Sequence, residues 1–262
     1  MKTFLTQSNQ IRGLTKQQYT TLRVLCRISK NLYNVGLYNI RQYYFKERKY
    51  LSYESNYKYC KDNENYKLLQ AGVSQQILMT VDKGFKSFFG LLHKQKHGTQ
   101  VHIPHYLPRE GFFPLILSTN AYRVKSGYLT LPVSRTYRKL HPDVEDIRIP
   151  FPRRLQGKTL KEVRIVPLFG ARYFKIQYVY AQKSEAKRFD KNRAVGIDLG
   201  LNNLATCVTT DRASFIVDGK KLKSINRLYN KTLARLKSIA SKQGIIDKLT
   251  NRMARITLKR NN

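Results

Sequence analysis

One carboxylate, Asp198, lies within an otherwise apolar stretch, RAVGIDLGLNNLATCVTT, at residues 193–210. The alternation of a β-strand places Asp198 on the same face as Gly196 and Gly200, so that face is open beside the acid. A carboxylate removed from water needs a cation or hydrogen-bond donors. Asp198 is therefore either a metal ligand or an acceptor for backbone amides of the turn GLNN, and the spacing alone leaves both open.

Two further acids follow in the adjoining strand region, Asp211 and Asp218. Asp218 ends the predicted strand SFIVDG and is the candidate for a second metal ligand. The three cysteines lie far apart and form no pair motif, which argues against a zinc site or a disulfide scaffold. This cysteine usage is typical of a reducing cytoplasm.

The chain is strongly basic. Its 262 residues include 50 Lys or Arg and 16 Asp or Glu, a formal net charge of +34. Such a surplus is expected when a polyanion neutralises it, with nucleic acid as the first candidate and an anionic membrane as the second. No apolar run is long enough to span a bilayer, and the N-terminus lacks the apolar core of a signal peptide. We therefore predict nucleic-acid partners and no membrane partner.

The first zone of the chain, from about residue 14 to residue 97, predicts helices. A long helix begins at the N-cap Thr15, and a second spans residues 74–93, each with an apolar stripe at helical spacing. Between Tyr43 and Tyr59, tyrosines alternate with lysines and arginines, which suits either base stacking with phosphate contact or a solvated basic helix face. The nucleic-acid-binding candidates here are Tyr43, Tyr44, Lys46, Arg48, Lys49, Tyr50, Lys83 and Lys86.

The second zone, roughly residues 98–188, predicts short strands. Period-two stretches form one hairpin with Ser126 and Gly127 at its turn and a second hairpin with Gly170 at its turn. A β-barrel or sandwich is the expected outcome.

The third zone holds the Asp198 motif, the strand SFIVDG and two basic helices. The first helix ends near Gly244, and Ile246 and Met253 belong to the pattern of the second, which predicts an antiparallel pair. Residues 219–262 contain thirteen Lys or Arg and one acid, Asp247. The nucleic-acid-binding candidates here are Lys220, Lys221, Lys223, Arg227, Lys231 and Arg235.

Three segments together resemble one family. GIDLGLNNLATCVTT resembles the first motif of the RuvC-type nuclease domain in TnpB-family proteins, the OrfB "transposases" of insertion sequences and relatives of type V CRISPR effectors. ISKNLYNVGLYNIRQYYF and VSQQILMTVDKGFKSFF resemble the family's helical recognition lobe, and KSINRLYNKTLARLKSI resembles the basic helix pair after that motif. The resemblance covers nearly the whole chain in matching order.

The resemblance implies an α+β multidomain fold. Residues 1–14 would supply the first strand of a β-barrel (wedge, oligonucleotide-binding) domain, and residues 15–97 the helical recognition lobe. Residues 98–190 would form the rest of the β-barrel domain. Residues 191–262 would be the first part of an RNase H-like (RuvC) α/β nuclease domain.

The resemblance also implies the activity of an RNA-guided DNA endonuclease, with a guide RNA from the element's end and target DNA as partners. The family site uses Asp, Glu and Asp with magnesium, and Asp198 matches the first catalytic and metal-binding acid. The other two acids and a four-cysteine zinc ribbon are not found in this sequence, so we expect a C-terminally truncated protein that does not cleave by itself. The alternative is a nuclease-dead nucleic-acid-binding regulator, and either protein would reside in the bacterial cytoplasm with the nucleoid.

Overall fold

The computed structural model describes residues 2–94, 100–183, 190–245 and 248–261. The chain divides into two compact units, Met1–Ser184 and Glu185–Asn262. The first unit contains, in chain order, β1 (Lys2–Gln10), α1 (Lys16–Glu47), α2 (Tyr53–Cys60), α3 (Glu64–Leu68), α4 (Ala71–His93), β2 (Leu115–Ser118), β3 (Arg123–Lys125), β4 (Tyr128–Leu131), α5 (Arg135–Leu140), β5 (Ile147–Pro150), β6 (Leu160–Leu168) and β7 (Tyr173–Lys183). The second contains β8 (Val195–Asp198), β9 (Asn203–Thr209), β10 (Ser214–Asp218), α6 (Lys220–Lys242) and α7 (Asn251–Asn261).

Helix α1 begins where the sequence predicts it. The Thr15 hydroxyl accepts the Gln18 amide at 3.1 Å, and the Gln18 side chain accepts the Thr15 amide at 3.2 Å, which together form a capping box. The helix runs for 32 residues and ends at Arg48, whose φ of 52° is left-handed. Leu22 and Leu32 of its apolar stripe are fully buried, whereas Tyr38 at the end of the stripe is 54% exposed. The N-cap prediction is confirmed, and the stripe is confirmed as far as Leu32.

Helix α4 packs tightly against Gly36 of α1. A Cβ at this position would lie 2.7 Å from Leu78 Cδ2, and the Asn56 amide donates to the Gly36 carbonyl at 3.1 Å. Any other residue here would require the Leu78 side chain to shift. Gly36 therefore allows Leu78 to pack directly against the backbone of α1.

We expect Gly36→Ala to destabilise the first unit by about 1–3 kcal/mol, because the added methyl overpacks the contact with Leu78. Gly84→Ala is the matched control, since Gly84 lies in α4 and a Cβ added there would meet no packing atom within 4 Å. The free energy of unfolding of that control should rise by about 0.5–1 kcal/mol, because alanine has a higher helix propensity than glycine. Urea unfolding of the two variants measures the difference, and equal stability would show that the helices separate without cost.

The strands of the first unit form two antiparallel sheets, with strand orders β1-β7-β6-β2 and β3-β4-β5. Ser126 and Gly127 have φ of 51° and 77°, the two left-handed positions that a tight hairpin turn requires. The turn between β6 and β7 places Phe169, Gly170 and Ala171 at φ of 52°, 68° and 57°. Both predicted hairpins are confirmed.

Strand β1 is the N-terminal segment, and it pairs along β7 from Lys2 opposite Lys183 to Gln10 opposite Lys175. Within the described residues, strand pairing gives two open sheets and does not close a single barrel. The reason is that β3, β4 and β5 are short and pair only with one another. One apolar core joins both sheets to α1 and α4, and a second, smaller core surrounds Phe85.

The second unit consists of the sheet β10-β9-β8 and the helices α6 and α7. The helices are antiparallel, because Tyr229 hydrogen-bonds Thr257 at 3.0 Å while Arg260 donates to the earlier Asn226 at 3.1 Å. Gly244, at φ 72°, ends α6 as predicted, and the Ile245 amide returns to the Ala240 carbonyl at 2.9 Å. Helix α7 begins at Asn251, and the predicted Ile246 lies outside the described residues.

The sheet of the second unit has apolar side chains exposed on both faces. Ile197 and Phe215 project from one face and are 59% and 51% exposed. Val208 and Ile216 project from the other face and are 54% and 61% exposed. Contiguous apolar surface is normally covered by another part of the protein or by a binding partner. In the described part of the chain, no helix is long and apolar enough to cross a membrane.

Candidate metal-binding carboxylate and nucleic-acid interface

Asp198 is the last residue of β8, an outer strand of its sheet, and pairs with Thr206 of β9. Its side chain is exposed, and no donor among the described residues hydrogen-bonds to it. The alternative in which the turn GLNN supplies backbone amides to the carboxylate is therefore not observed. Asp198 is free to bind a cation or another ligand.

The two glycines beside Asp198 play different parts. A Cβ at Gly196 would meet only the Val208 carbonyl, at 3.8 Å, so this position leaves open space. A Cβ at Gly200 would lie 3.0 Å from the Asn203 carbonyl, which is tighter than ordinary contact. Gly200 is thus required by the turn between β8 and β9, and only Gly196 opens the face beside the carboxylate.

Asp218 does not share a site with Asp198, contrary to its candidacy as a second metal ligand. It lies on β10, the opposite outer strand, and β9 separates the two strands by about 10 Å, twice the usual strand spacing. The two acids are also offset along β9, since Asp198 lies opposite Thr206 and Asp218 opposite Asn203. The Asp218 carboxylate accepts the amide of Lys220, the first residue of α6, at 2.8 Å, while Gly219 is the N-cap of that helix. Asp211 instead pairs with Arg193 at 3.0 Å.

These acids do not fit a two-metal centre. In the described ranges, no group of three or more His, Cys, Asp or Glu is placed to hold a metal ion. A two-metal clamp needs several carboxylates to stabilise both the attacking and the leaving oxygen. Asp198 alone supplies one of them.

The tyrosines at the end of α1 are packing residues, which the sequence pattern did not show. Tyr43, Tyr44 and Tyr50 are half-buried against the smaller core. The Tyr44 ring meets the Phe89 ring edge-on at 5.4 Å, and the Tyr50 ring meets it edge-on at 5.8 Å. Because α4 packs alongside this end of α1, these rings do not offer free faces to a base.

Tyr50 and Lys86 also share an internal partner, the buried carboxylate of Asp82. The Tyr50 hydroxyl donates to one carboxylate oxygen, and Lys86 Nζ lies 2.9 Å from the other. These contacts tie the segment after α1 to α4. Lys83, Arg48 and Lys49 are exposed and can contact phosphate. Lys46 is also exposed, but its ammonium lies 3.6 Å from the carboxylate of Glu47.

Helix α6 carries a stripe of exposed cations along one face. Positions 220, 223, 227, 231 and 235 recur at intervals of three or four residues and therefore lie one above the other. The first four line an open groove together with Ser224, Asn226 and Asn230, and Lys221 lies at the edge of the stripe. The helix contains no acid, so its field is purely positive. We refer to this surface as the α6 stripe.

Sequence reasoning missed a cluster around Arg41 of α1, where Phe45 and Tyr106 flank the guanidinium. The spacing of Arg41 and Phe45, four residues apart on a helix, was visible in the sequence. The contribution of Tyr106 was not, because it depends on how the segment after α4 returns to α1.

One family model matches part of the chain. Residues 177–262 match the sequence model of the family OrfB_IS605, described as "Probable transposase". The matched residues include the Asp198 strand, so the resemblance to OrfB proteins inferred from the Asp198 motif is confirmed over this part of the chain.

Two solved structures are similar to this chain. "Cryo-EM structure of CRISPR-Cas12f Ternary Complex" matches with a TM-score of 0.40 and 14% identity, covering 95% of this chain and 60% of that chain. "Cryo-EM structure of the Cas12f1-sgRNA-target DNA complex" matches with a TM-score of 0.50 and 14% identity, covering 95% of this chain and 59% of that chain. The second similarity shows a shared mixed helix and sheet fold. The chain spans about 60% of the length of these two structures. No match was found among the curated proteins.

Proposed function

We propose that the chain is a TnpB-type protein of an insertion sequence that binds a guide RNA and DNA and does not cut DNA by itself. The observation that carries the proposal is the family match over residues 177–262, which includes the Asp198 strand and the α6 stripe. A formal net charge of +34 supports a polyanionic partner. The similar Cas12f1 structure is, by its title, a complex with an sgRNA and target DNA, which supports the same kind of partner.

Within this proposal the parts of the chain have distinct tasks. The helices α1–α4 act as the recognition lobe, and the sheets of the first unit act as the wedge domain. The α6 stripe and the exposed cations at the end of α1 contact phosphates. Phosphate contacts position a nucleic acid and supply affinity, whereas sequence must be recognised through bases.

Asp198 is proposed as the first acid of the family's magnesium site. Bound Mg²⁺ would stabilise negative charge on the reacting phosphate. The chain's described residues bring no second carboxylate to Asp198, so they do not complete that site. Binding without cleavage follows as the property of this chain alone.

The test is preference for the element's own RNA. We expect the chain to bind the structured RNA from its element's end at least about tenfold more tightly than a shuffled RNA of equal length, a difference of about 1.4 kcal/mol. Filter binding at a fixed salt concentration measures both affinities, with the shuffled RNA as the composition control. Equal affinity for the two RNAs would leave only a generic basic protein and would reject the proposal.

A further inference from the structure

Arg41, on α1, lies between two aromatic rings that are each about half exposed. Its guanidinium carbon is 5.5 Å from the centroid of the Phe45 ring and 5.0 Å from the centroid of the Tyr106 ring. Phe45 is 46% exposed and Tyr106 is 43% exposed. Each of these two residues therefore keeps nearly half of its surface accessible to solvent.

The cluster is held in place from both sides. Arg41 Nη1 donates to the Pro104 carbonyl at 2.7 Å. Two helical turns earlier, the Asn34 side chain accepts the Leu107 amide and donates to the Leu107 carbonyl, both at 2.9 Å. These bonds fix the segment that carries Tyr106 along α1, so the rings are positioned before any ligand binds.

The surroundings are aromatic and cationic. Tyr38, 54% exposed, lies one turn before Arg41 on the same stripe of α1. His102 and His105 are exposed on the returning segment, and Lys49 is exposed beyond the end of the helix. In the described residues, no carboxylate pairs with Arg41, whose own hydrogen bond goes to a backbone carbonyl. The guanidinium keeps its positive charge uncompensated next to exposed rings.

We propose that the cluster of Arg41, Phe45 and Tyr106 is a stacking site for an unpaired base of a single-stranded nucleic acid. The hydrogen bonds of Arg41 and Asn34 are enough to hold the segment that carries Tyr106 against α1. They do not explain why the Phe45 and Tyr106 side chains remain about half exposed. Every base has a face that stacks on an aromatic ring or a guanidinium, while the cation attracts the adjoining phosphate. Bases inside a duplex have no free face for such a site. The inference rests on the proposed function in requiring that the chain binds nucleic acid.

The test uses the double variant Phe45→Leu, Tyr106→Leu in the full chain, because leucine keeps apolar bulk and removes the flat ring. The matched control is Tyr128→Leu, which removes a ring that is 48% exposed on β4 and carries no guanidinium. The probes are single strands of about 12 nucleotides, a length within the usual site sizes, as RNA and as DNA of one sequence, together with abasic versions of each.

We expect the double variant to lose about tenfold or more in affinity for a base-containing strand and to keep its affinity for the abasic strand. The control should bind all probes like the parent chain. A 2-aminopurine in the strand should be quenched by the parent chain and not by the double variant. Comparison of the RNA probes with the DNA probes identifies which nucleic acid the site binds. A loss of affinity for either base-containing strand supports the site.

Two results would overturn the inference. If the double variant loses affinity for abasic and base-containing strands equally, the rings stabilise the fold and do not stack on bases. If the parent chain binds both strands and the double variant binds them equally well, the cluster is not a base site while the proposed function stands. A parent chain that binds none of the single strands would also overturn this site, while the proposed function would still be decided by the test with the element's structured RNA.

Discussion

The affinity of the chain for RNA is expected to fall about 10³-fold or more between 50 and 200 mM salt. Each phosphate that a lysine or arginine neutralises releases condensed counterions, and about 6 to 10 such contacts are needed for a loss of this size. The chain has enough exposed cations, since the α6 stripe alone contributes five and α6 itself contains no acid. Fluorescence anisotropy with one RNA across a salt series measures the slope.

The location of these contacts can be tested with two variants of equal net charge. The triple variant Arg227→Gln, Lys231→Gln, Arg235→Gln should reduce the salt slope by about 2–3, roughly 1 for each lost phosphate contact. The matched triple variant removes three exposed cations of α7 by changing Arg252, Arg255 and Lys259 to glutamine. A similar reduction in both variants would mean that total charge, not the α6 stripe, determines binding. An affinity that stays flat with salt would exclude phosphate contact as the main source of binding.

Magnesium-dependent DNA cleavage is expected to be absent from this chain, with or without guide RNA. Asp198 has no second carboxylate beside it among the described residues, because Asp218 lies at the opposite edge of the sheet, where it accepts the Lys220 amide, and Asp211 pairs with Arg193. A fusion that appends the later strands of a complete family relative, with their acids, should cleave. In that fusion Asp198→Ala should abolish cleavage and leave RNA affinity nearly unchanged, since a carboxylate contributes little attraction to phosphate.

Two other carboxylates serve as controls for this cleavage experiment. Asp211→Asn removes an exposed acid from the same sheet region and should leave the fusion's cleavage intact. Asp218→Asn keeps an acceptor for the Lys220 amide, and Asp218→Ala should cost about 1 kcal/mol of stability without a metal-specific effect, because one hydrogen bond is lost. Gel analysis of a labelled target, with and without magnesium, gives the readout. If the unextended chain cuts and the cut depends on Asp198, a group other than Asp211 and Asp218 completes the site, and the expectation of binding without cleavage is wrong.

Much of the local structure could be predicted from the sequence, because it depends on residues close together in the chain. Thr15 and Gln18 are three residues apart and cap α1 whatever packs against it. Ser126 and Gly127 suit the left-handed positions of a hairpin turn, and Gly244 suits the end of α6. The strand pattern around Asp198 likewise located the family motif, which the match over residues 177–262 confirms.

The composition of each candidate surface was decided only by the tertiary structure. The pattern of alternating tyrosines and lysines does not indicate that α4 lies beside the end of α1. Because it does, Tyr44 and Tyr50 pack against Phe89. Nor does the spacing of Asp198 and Asp218 show that β9 lies between their strands. Local propensities depend on neighbours in sequence, whereas burial and the meeting of distant side chains depend on which elements pack together. For the same reason Arg41 and Tyr106, far apart in the chain, form one cluster only after the segment following α4 returns along α1.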